Sequence, residues 1–194
     1  MFIQVIQAKS SKRDEVRALM QEWDAATDNE ASGFLGATNG FTDDGTFIGV
    51  VRFESKEKAM ANSARPETDA MAKRLAELMD GPPEFHDCED VTVWRDGGSD
   101  DAGFVQVIQG RTDDPERLKE VMAADADDMR AQRPDIIGGT FALEADGSFT
   151  NTVAFTDEAS AREGESKGGP PEEIQSLMQD LKFYDLHDPW FTSA

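Results

Sequence analysis

The sequence predicts an α+β fold made of two copies of one β-α-β-β-α-β unit. Three observations carry this reading. The phrase Phe2-Ile-Gln-Val-Ile-Gln7 returns as Phe104-Val-Gln-Val-Ile-Gln109, an Asp-Gly pair separates two strand-like runs in each half, and helical periodicity recurs at matching places around them. An offset of 102 takes Met20 to Met122, Gly36 to Gly138, Asp44-Gly45 to Asp146-Gly147 and Phe53 to Phe155 without a gap.

Taken in order, residues 2 to 8 alternate and are rich in β-branched side chains, which predicts a strand. Ser10-Ser11 follows, where a hydroxyl can accept from the unpaired amides of a helix start. Val16, Leu19, Met20 and Trp23 then recur at helical spacing and predict an apolar stripe on a helix reaching about Thr27. The runs from Gly33 to Phe41 and from Thr46 to Phe53, joined by Asp44-Gly45, predict a hairpin, because glycine tolerates the positive φ of a tight turn. A second helical region begins after Ser55, breaks at Ala64-Arg65-Pro66, and resumes with Met71, Leu75, Leu78 and Met79. Pro66 suits the first turn of the resumed helix, where its missing N–H is harmless. Gly81-Pro82-Pro83 ends it, and Glu84 to Trp94 reads as one fourth strand.

Residues 96–103, rich in glycine and aspartate, read as a linker between a first repeat over 1–95 and a second over 104–194. In the second repeat Asp114-Pro115 starts the helix carrying Leu118, Val121, Met122 and Met129, and Pro170-Pro171 opens the last helical stretch at an offset of 99. Each half is the split β-α-β motif of ferredoxin-like folds. The first strand is apolar on both faces, with Phe2 and Ile6 on one and Ile3 and Val5 on the other. Such strands predict two four-stranded sheets packed face to face with helices outside, so that one chain supplies both halves.

Composition narrows the function classes. Forty acidic against nineteen basic residues give a net charge of −21, and a pI near 4.3. That balance opposes binding to nucleic acid or to an anionic membrane. No apolar run approaches the roughly 20 residues of a membrane span. Cys88 is the single cysteine, so no internal disulfide forms, and the expected home is the reducing cytoplasm. Acidic runs such as Asp125-Ala-Asp-Asp128 read as solvated helix faces.

The element order, the repeated strand and the two Asp-Gly hairpins resemble the dimeric α+β barrel superfamily, in which two ferredoxin-like units form a barrel. Here the units are fused into a single-chain pseudo-dimeric barrel. The resemblance spans residues 2 to 190 and specifies fold better than function. Relatives include cofactor-independent monooxygenases of the antibiotic-biosynthesis type, haem-degrading enzymes, isomerases and ligand-sensing domains. In the monooxygenase group, the resemblance implies a pocket between the helices and the sheet of each unit and no cofactor. The haem-degrading group uses an axial histidine from the second helical region, and residues 55–79 and 157–181 contain none.

Chemistry is expected where the halves differ. Asn62 faces Gly164, Arg65 faces Lys167, and His86 faces Tyr184 at matched positions. In a site of the monooxygenase kind, Asn62 would hydrogen-bond a phenolic oxygen, and Arg65 or His86 would stabilise the phenolate that reacts with oxygen. Trp23, Phe34 and Phe53 would wall the pocket. The bland alternative is that Asn62 ends a helix, Arg65 is solvated and Trp23 is core. On one strand, His86, Cys88 and Asp90 would share a face as possible zinc ligands, but a fourth group would have to come from elsewhere, so no metal is expected. A catalytic thiol at Cys88 has only His86 beside it. The sequence therefore points to a monooxygenase-like protein acting on a small apolar or aromatic molecule such as a quinol. The alternative is a non-catalytic ligand-binding or stress-associated barrel. As a pseudo-dimer the chain is expected to be a monomer, or a homodimer through its sheet edges.

Overall fold

The computed structural model describes residues 1–26, 33–95, 97, 98 and 100–193, with no account of the side chains of residues 26 and 126–128. The predicted helix end at Thr27 and part of the predicted linker lie outside the described residues. Ten strands and six helices are placed in the order β1 (Phe2–Lys9), α1 (Arg13–Ala26), β2 (Phe34–Phe41), β3 (Thr46–Phe53), α2 (Lys56–Ser63), α3 (Pro66–Glu77), β4 (Glu84–Cys88) and β5 (Asp90–Trp94), then β6 (Phe104–Arg111), α4 (Pro115–Gln132), β7 (Ile136–Leu143), β8 (Ser148–Phe155), α5 (Glu158–Ser166), α6 (Glu172–Ser176), β9 (Gln179–Leu186) and β10 (Trp190–Thr192). Two repeats of the ferredoxin-like α+β unit are thus present.

Helix starts follow local chemistry. The Ser10 hydroxyl accepts from the Lys12 amide at 3.0 Å and donates to the Leu78 carbonyl at 2.7 Å. Ser55 and Asp157 cap α2 and α5, and Asp114 caps α4, each accepting an amide of the first turn. Pro66 and Pro115 occupy the first turns of α3 and α4 as expected.

The sheets differ from the four-stranded expectation. The first is ordered β10-β2-β3-β1-β4 and the second β5-β7-β8-β6-β9. The stretch Glu84–Trp94 is not one strand: β4 pairs with β1, whereas β5 pairs with β7 of the second sheet. The three residues of β10 in turn pair with β2. The chain accordingly divides into two compact units, Met1–Glu89 with Pro189–Ala194, and Asp90–Asp188. Sequence repeat and compact unit are different divisions, because each repeat's last strand crosses to the other sheet.

Register assigns the faces of the first sheet. Phe2, Phe53 and Phe34 are aligned across three strands, and they cluster with Ala59 of α2, so this is the helix face. Val5, Val50 and His86 are aligned one residue away and share the other face with Ile3 and Cys88. Ile3, Val5, Ile48, Val50 and Cys88 are all buried, so both faces are apolar, as the pattern of β1 demands. In the second unit the helix face carries Phe104, Val153 and Phe155 against Ala161 of α5. It also carries Phe141, Leu143 and Phe149 against Leu118 of α4 and Ile174 of α6.

The two hairpins are built alike. Gly45 and Gly147 have φ of +83° and +86°, and their carbonyls each accept an amide, from Ser10 and Thr112, at 2.9 Å. A Cβ on Gly147 would meet the Thr112 carbonyl oxygen at 2.6 Å, and one on Gly45 the Ser10 oxygen at 3.3 Å. Forcing an L side chain into this region costs about 1–2 kcal/mol before any clash. Urea unfolding is therefore expected to show a loss of about 1 kcal/mol for Gly45→Ala and about 2 kcal/mol or more for Gly147→Ala, where the contact adds to the strain.

Candidate functional site

Matched positions on the helix faces show how the units diverge. Both carry the same hydrogen bond, between β1 and β4 in the first and between β6 and β9 in the second: Gln4 Nε2 donates to Asp87 at 2.8 Å, and Gln106 Nε2 to Asp185 at 2.9 Å. In the second unit, Arg162 of α5 reaches Asp185 at 2.5 Å, Glu165 at 3.1 Å and Glu158 at 3.2 Å. Its guanidinium lies 5.1 Å from the Phe104 ring centroid. His187 Nδ1 is 2.7 Å from Glu158, and its ring is 5.9 Å from Phe104.

Burial disfavours the Arg162 cation, but its bonds to Asp185 and Glu165 outweigh this and hold its pKa above the usual guanidinium value. The His187 contact, aided by Arg162, holds the Glu158 carboxyl below the usual range. The space between α5 and the second sheet is thus filled by a mutually satisfied charge network.

The first unit lacks that network. Met60 stands where Arg162 stands, with 64% of its surface exposed. Lys56 and Glu89 replace Glu158 and His187 with the opposite polarity, paired at 2.6 Å. On this part of α2 an apolar side chain thus replaces the guanidinium, while the Lys56 ammonium, raised chiefly by Glu89, is also close enough to feel Asp87. Beside this part of the helix lie the Phe34 and Phe53 rings, edge to face with centroids 5.9 Å apart.

The residues singled out in the sequence fall in different places. Phe34 and Phe53 meet, and Asn62 lies half-buried one turn after Ala59 on the helix that covers them. Arg65 turns away into a pair with Glu67 at 2.6 Å. Trp23 is half-buried on α1. His86, opposite Val5, points to the face that α2 does not cover, so it does not join Asn62. Asp90 belongs to β5, so the row His86, Cys88, Asp90 does not form one strand face. Among the described residues no group of three or more His, Cys, Asp and Glu is placed to hold a metal.

A second region of the first unit escaped the sequence reading because it needs β10. Phe41, Phe47 and Trp190 form an aromatic group under α1, with Trp190 6.1 Å from both phenylalanine rings. Arg17 lies 4.8 Å over the indole and Arg13 5.6 Å over Phe41. Thr192 donates to Asp24 of α1 at 2.7 Å.

In the second unit a cavity of about 330 Å³ opens between Pro134, Asp135, Thr156, Ser160, Gly164 and Lys167. Its neighbour Arg133 is bound by Asp135 at 2.7 Å. That guanidinium lies where a side chain on Gly164 would stand, with Nε 2.2 Å from the position of a Cβ. The difference between Asn62 and Gly164 therefore has a packing cause on the second side.

No family model matches the sequence, and no curated protein matches it. Solved structures do. A candidate monooxygenase of Fusobacterium nucleatum is 11% identical, with 99% of this chain and 94% of that chain covered at a TM-score of 0.74. A candidate monooxygenase of Lactobacillus acidophilus NCFM is also 11% identical, with 100% and 97% covered at 0.71. A major regulator of staphylococcal pathogenesis is 9% identical, with 97% and 99% covered at 0.57. At these identities the likeness is one of fold: the chain carries two ferredoxin-like α+β units in tandem. No helix among the described residues is long and apolar enough to cross a membrane.

Asp24 makes a measurable pH signature. Desolvation raises its carboxyl above the ordinary 3.8, and the Thr192 bond only partly opposes this. A folded-state pKa above the unfolded one means that the folded form holds the proton more tightly, so stability falls as pH rises from the ordinary aspartate range through the raised value. Urea titrations across acid pH are expected to show Asp24→Asn gaining on the wild type above that window and not below it.

Proposed function

We propose that the protein is a cytoplasmic, cofactor-independent monooxygenase acting on an aromatic phenol or quinol, held between α2 and the helix face of the first sheet. The observation that carries the reading is the exchange of Arg162 for Met60. In the second unit the strand aspartate is neutralised by an arginine, and in the first the same aspartate is held by Gln4 beside an apolar, aromatic-walled strip.

Asp87 is the group suited to act as base, with Gln4 fixing one carboxylate oxygen and leaving the other for substrate. It removes a proton from the ring methylene of the substrate's keto tautomer, and the Asn62 amide donates to the phenolate oxygen over which the charge spreads. The carbanion reduces dioxygen to a carbon-bound hydroperoxide, and loss of water leaves a carbonyl. One oxygen atom enters the product and the other leaves as water, so a methylene plus dioxygen becomes a carbonyl plus water. Phe34 and Phe53 wall the ring system. Arg65 and His86 have no part in this assignment, because one is paired with Glu67 and the other lies on the far face.

Oxygen uptake with a panel of hydroquinones and aryl methylene ketones tests the reading. Asp87→Asn is expected to lose about a hundredfold in kcat, Met60→Arg to lose activity by pairing with Asp87, and His86→Ala to match the wild type. No uptake above buffer, or equal rates in Asp87→Asn and wild type, removes the proposal. Tight binding without uptake would instead support the non-catalytic ligand-binding reading.

A further inference from the structure

Matched residues of the two units show a contact that is made in the second and missing from the first. In the second, two residues one turn apart on α5 each meet a residue on β9 or just beyond it. Glu158 meets His187 at 2.7 Å, and Arg162 meets Asp185 at 2.5 Å. Their counterparts on α2 are Lys56 and Met60, and those of His187 and Asp185 are Glu89 and Asp87. Lys56 meets Glu89 at 2.6 Å. Met60 has no charge to offer Asp87, which is bonded by Gln4 from β1.

Asp87 and Glu89 are two residues apart, and one ammonium serves the place where both lie. Lys56 Nζ donates to Glu89. Its pKa is raised chiefly by that bond, with smaller contributions from Asp87 and Glu57 and with burial opposing them. Glu57 is occupied at the start of α2, where the Ser55 hydroxyl donates to its carboxylate. Asp87 is therefore the next carboxylate in line if Glu89 releases the ammonium. Gln4 already holds one oxygen of Asp87, so a lysine arriving there takes the other, which is the oxygen the proposed reaction leaves for substrate. The flexible stem of lysine and its three rotatable donors make this change of partner easy. With its two side chains 39% and 65% exposed, the Lys56–Glu89 pair adds little to stability and acts chiefly to fix where the cation sits.

We propose that Glu89 is a positioning residue for the first unit: it keeps the Lys56 ammonium off Asp87, and without it Lys56 takes the place beside Asp87 that Arg162 takes beside Asp185. The role, though not the contact, rests on the reading of Asp87 as the base. A carboxylate in an ion pair loses that partner's stabilisation as it accepts a proton, so a lysine on Asp87 makes it a poorer base and blocks the substrate's approach. Two exchanges thus act together. Met60 removes the cation that the second unit keeps over its aspartate, and Glu89 occupies the cation that remains.

The change of partner is read from the lysine Cε signals of the whole protein followed against pH, with Lys56 identified by its absence in Lys56→Met. In the wild type Lys56 is expected to titrate above an ordinary lysine. In Glu89→Gln it is expected to stay above, held by Asp87, and in Glu89→Gln combined with Asp87→Asn to fall to the ordinary value. A fall in Glu89→Gln alone shows the ammonium released to solvent and overturns the proposal. A combined variant that stays raised overturns it as well, since another group then holds the lysine. Oxygen uptake reads the role. Glu89→Gln is expected to lose about fivefold in kcat, and adding Lys56→Met to restore it. An unchanged rate in Glu89→Gln, or a loss that Lys56→Met does not restore, removes the positioning role. A wild type without uptake removes the monooxygenase reading instead, and the lysine titration still decides whether Glu89 holds Lys56 off Asp87.

Discussion

Every strand edge inside a protein must find partners for its N–H and C=O groups, and that constraint organises this chain. The hairpin of each repeat leaves β2 or β7 with one edge unpaired by its own four-strand set. The chain meets this demand with a strand from the other repeat: β10 completes the first sheet beside β2, and β5 completes the second beside β7. A register slip of one residue would turn Trp190 or Trp94 to the wrong face. The exchanged strands therefore decide which side chains each helix face receives.

What each unit receives differs, and the differences come in sets. Trp94 covers Gly139, where a Cβ would lie 2.7 Å from its ring, and Trp190 covers the row holding Asn39 and Gly49. A ring supplied by β10 in the first unit is supplied by β7, as Phe141, in the second. The contact from the start of the second helical region to the residue after β4 or β9 is kept with the carboxylate moved from one side to the other, Lys56 with Glu89 against Glu158 with His187. Packing and charge are thus compensated within each unit, as a closely packed interior and a low local dielectric require.

The repeat, the hairpins and most helix boundaries were legible in the sequence because each has a local cause: alternation, Asp-Gly, or a capping side chain beside proline. The split of Glu84–Trp94 was not. Its alternation runs on through Glu89, and only pairing with strands far along the chain divides it. The side on which His86 lies was not legible either, since its mismatch with Tyr184 says nothing of which sheet face helix α2 will cover. Asn62 was identified by its mismatch with Gly164, yet that mismatch has a packing cause in Arg133 on the second side. The network around Arg162 had a readable signal in the same comparison. Met60 against Arg162 and the reversed Lys56 and Glu89 pair are visible once the repeats are aligned, but their meaning depends on α5 lying over β9.

Compensated and uncompensated differences then carry different information. Moving a carboxylate from one side of a paired contact to the other, or a ring from one strand to another, keeps the contact and is what two copies of a fold accumulate under packing alone. Replacing Arg162 by Met60 is of another kind, because the aspartate keeps its glutamine and loses its arginine, and the cation left near it is Lys56, itself paired with Glu89. Asn39 is not of that kind: its amide and the Trp190 indole N–H are buried and unmet, but so are the Trp94 indole N–H and the Asn151 carbonyl of the second unit. The unoffset exchange at Met60 thus concerns Gln4 and Asp87, which lie on the helix face of the first sheet. That face, with its aromatic groups at each end and small residues at Ala37 and Gly49 between them, is where the molecule departs from what its own second copy shows to be sufficient for folding.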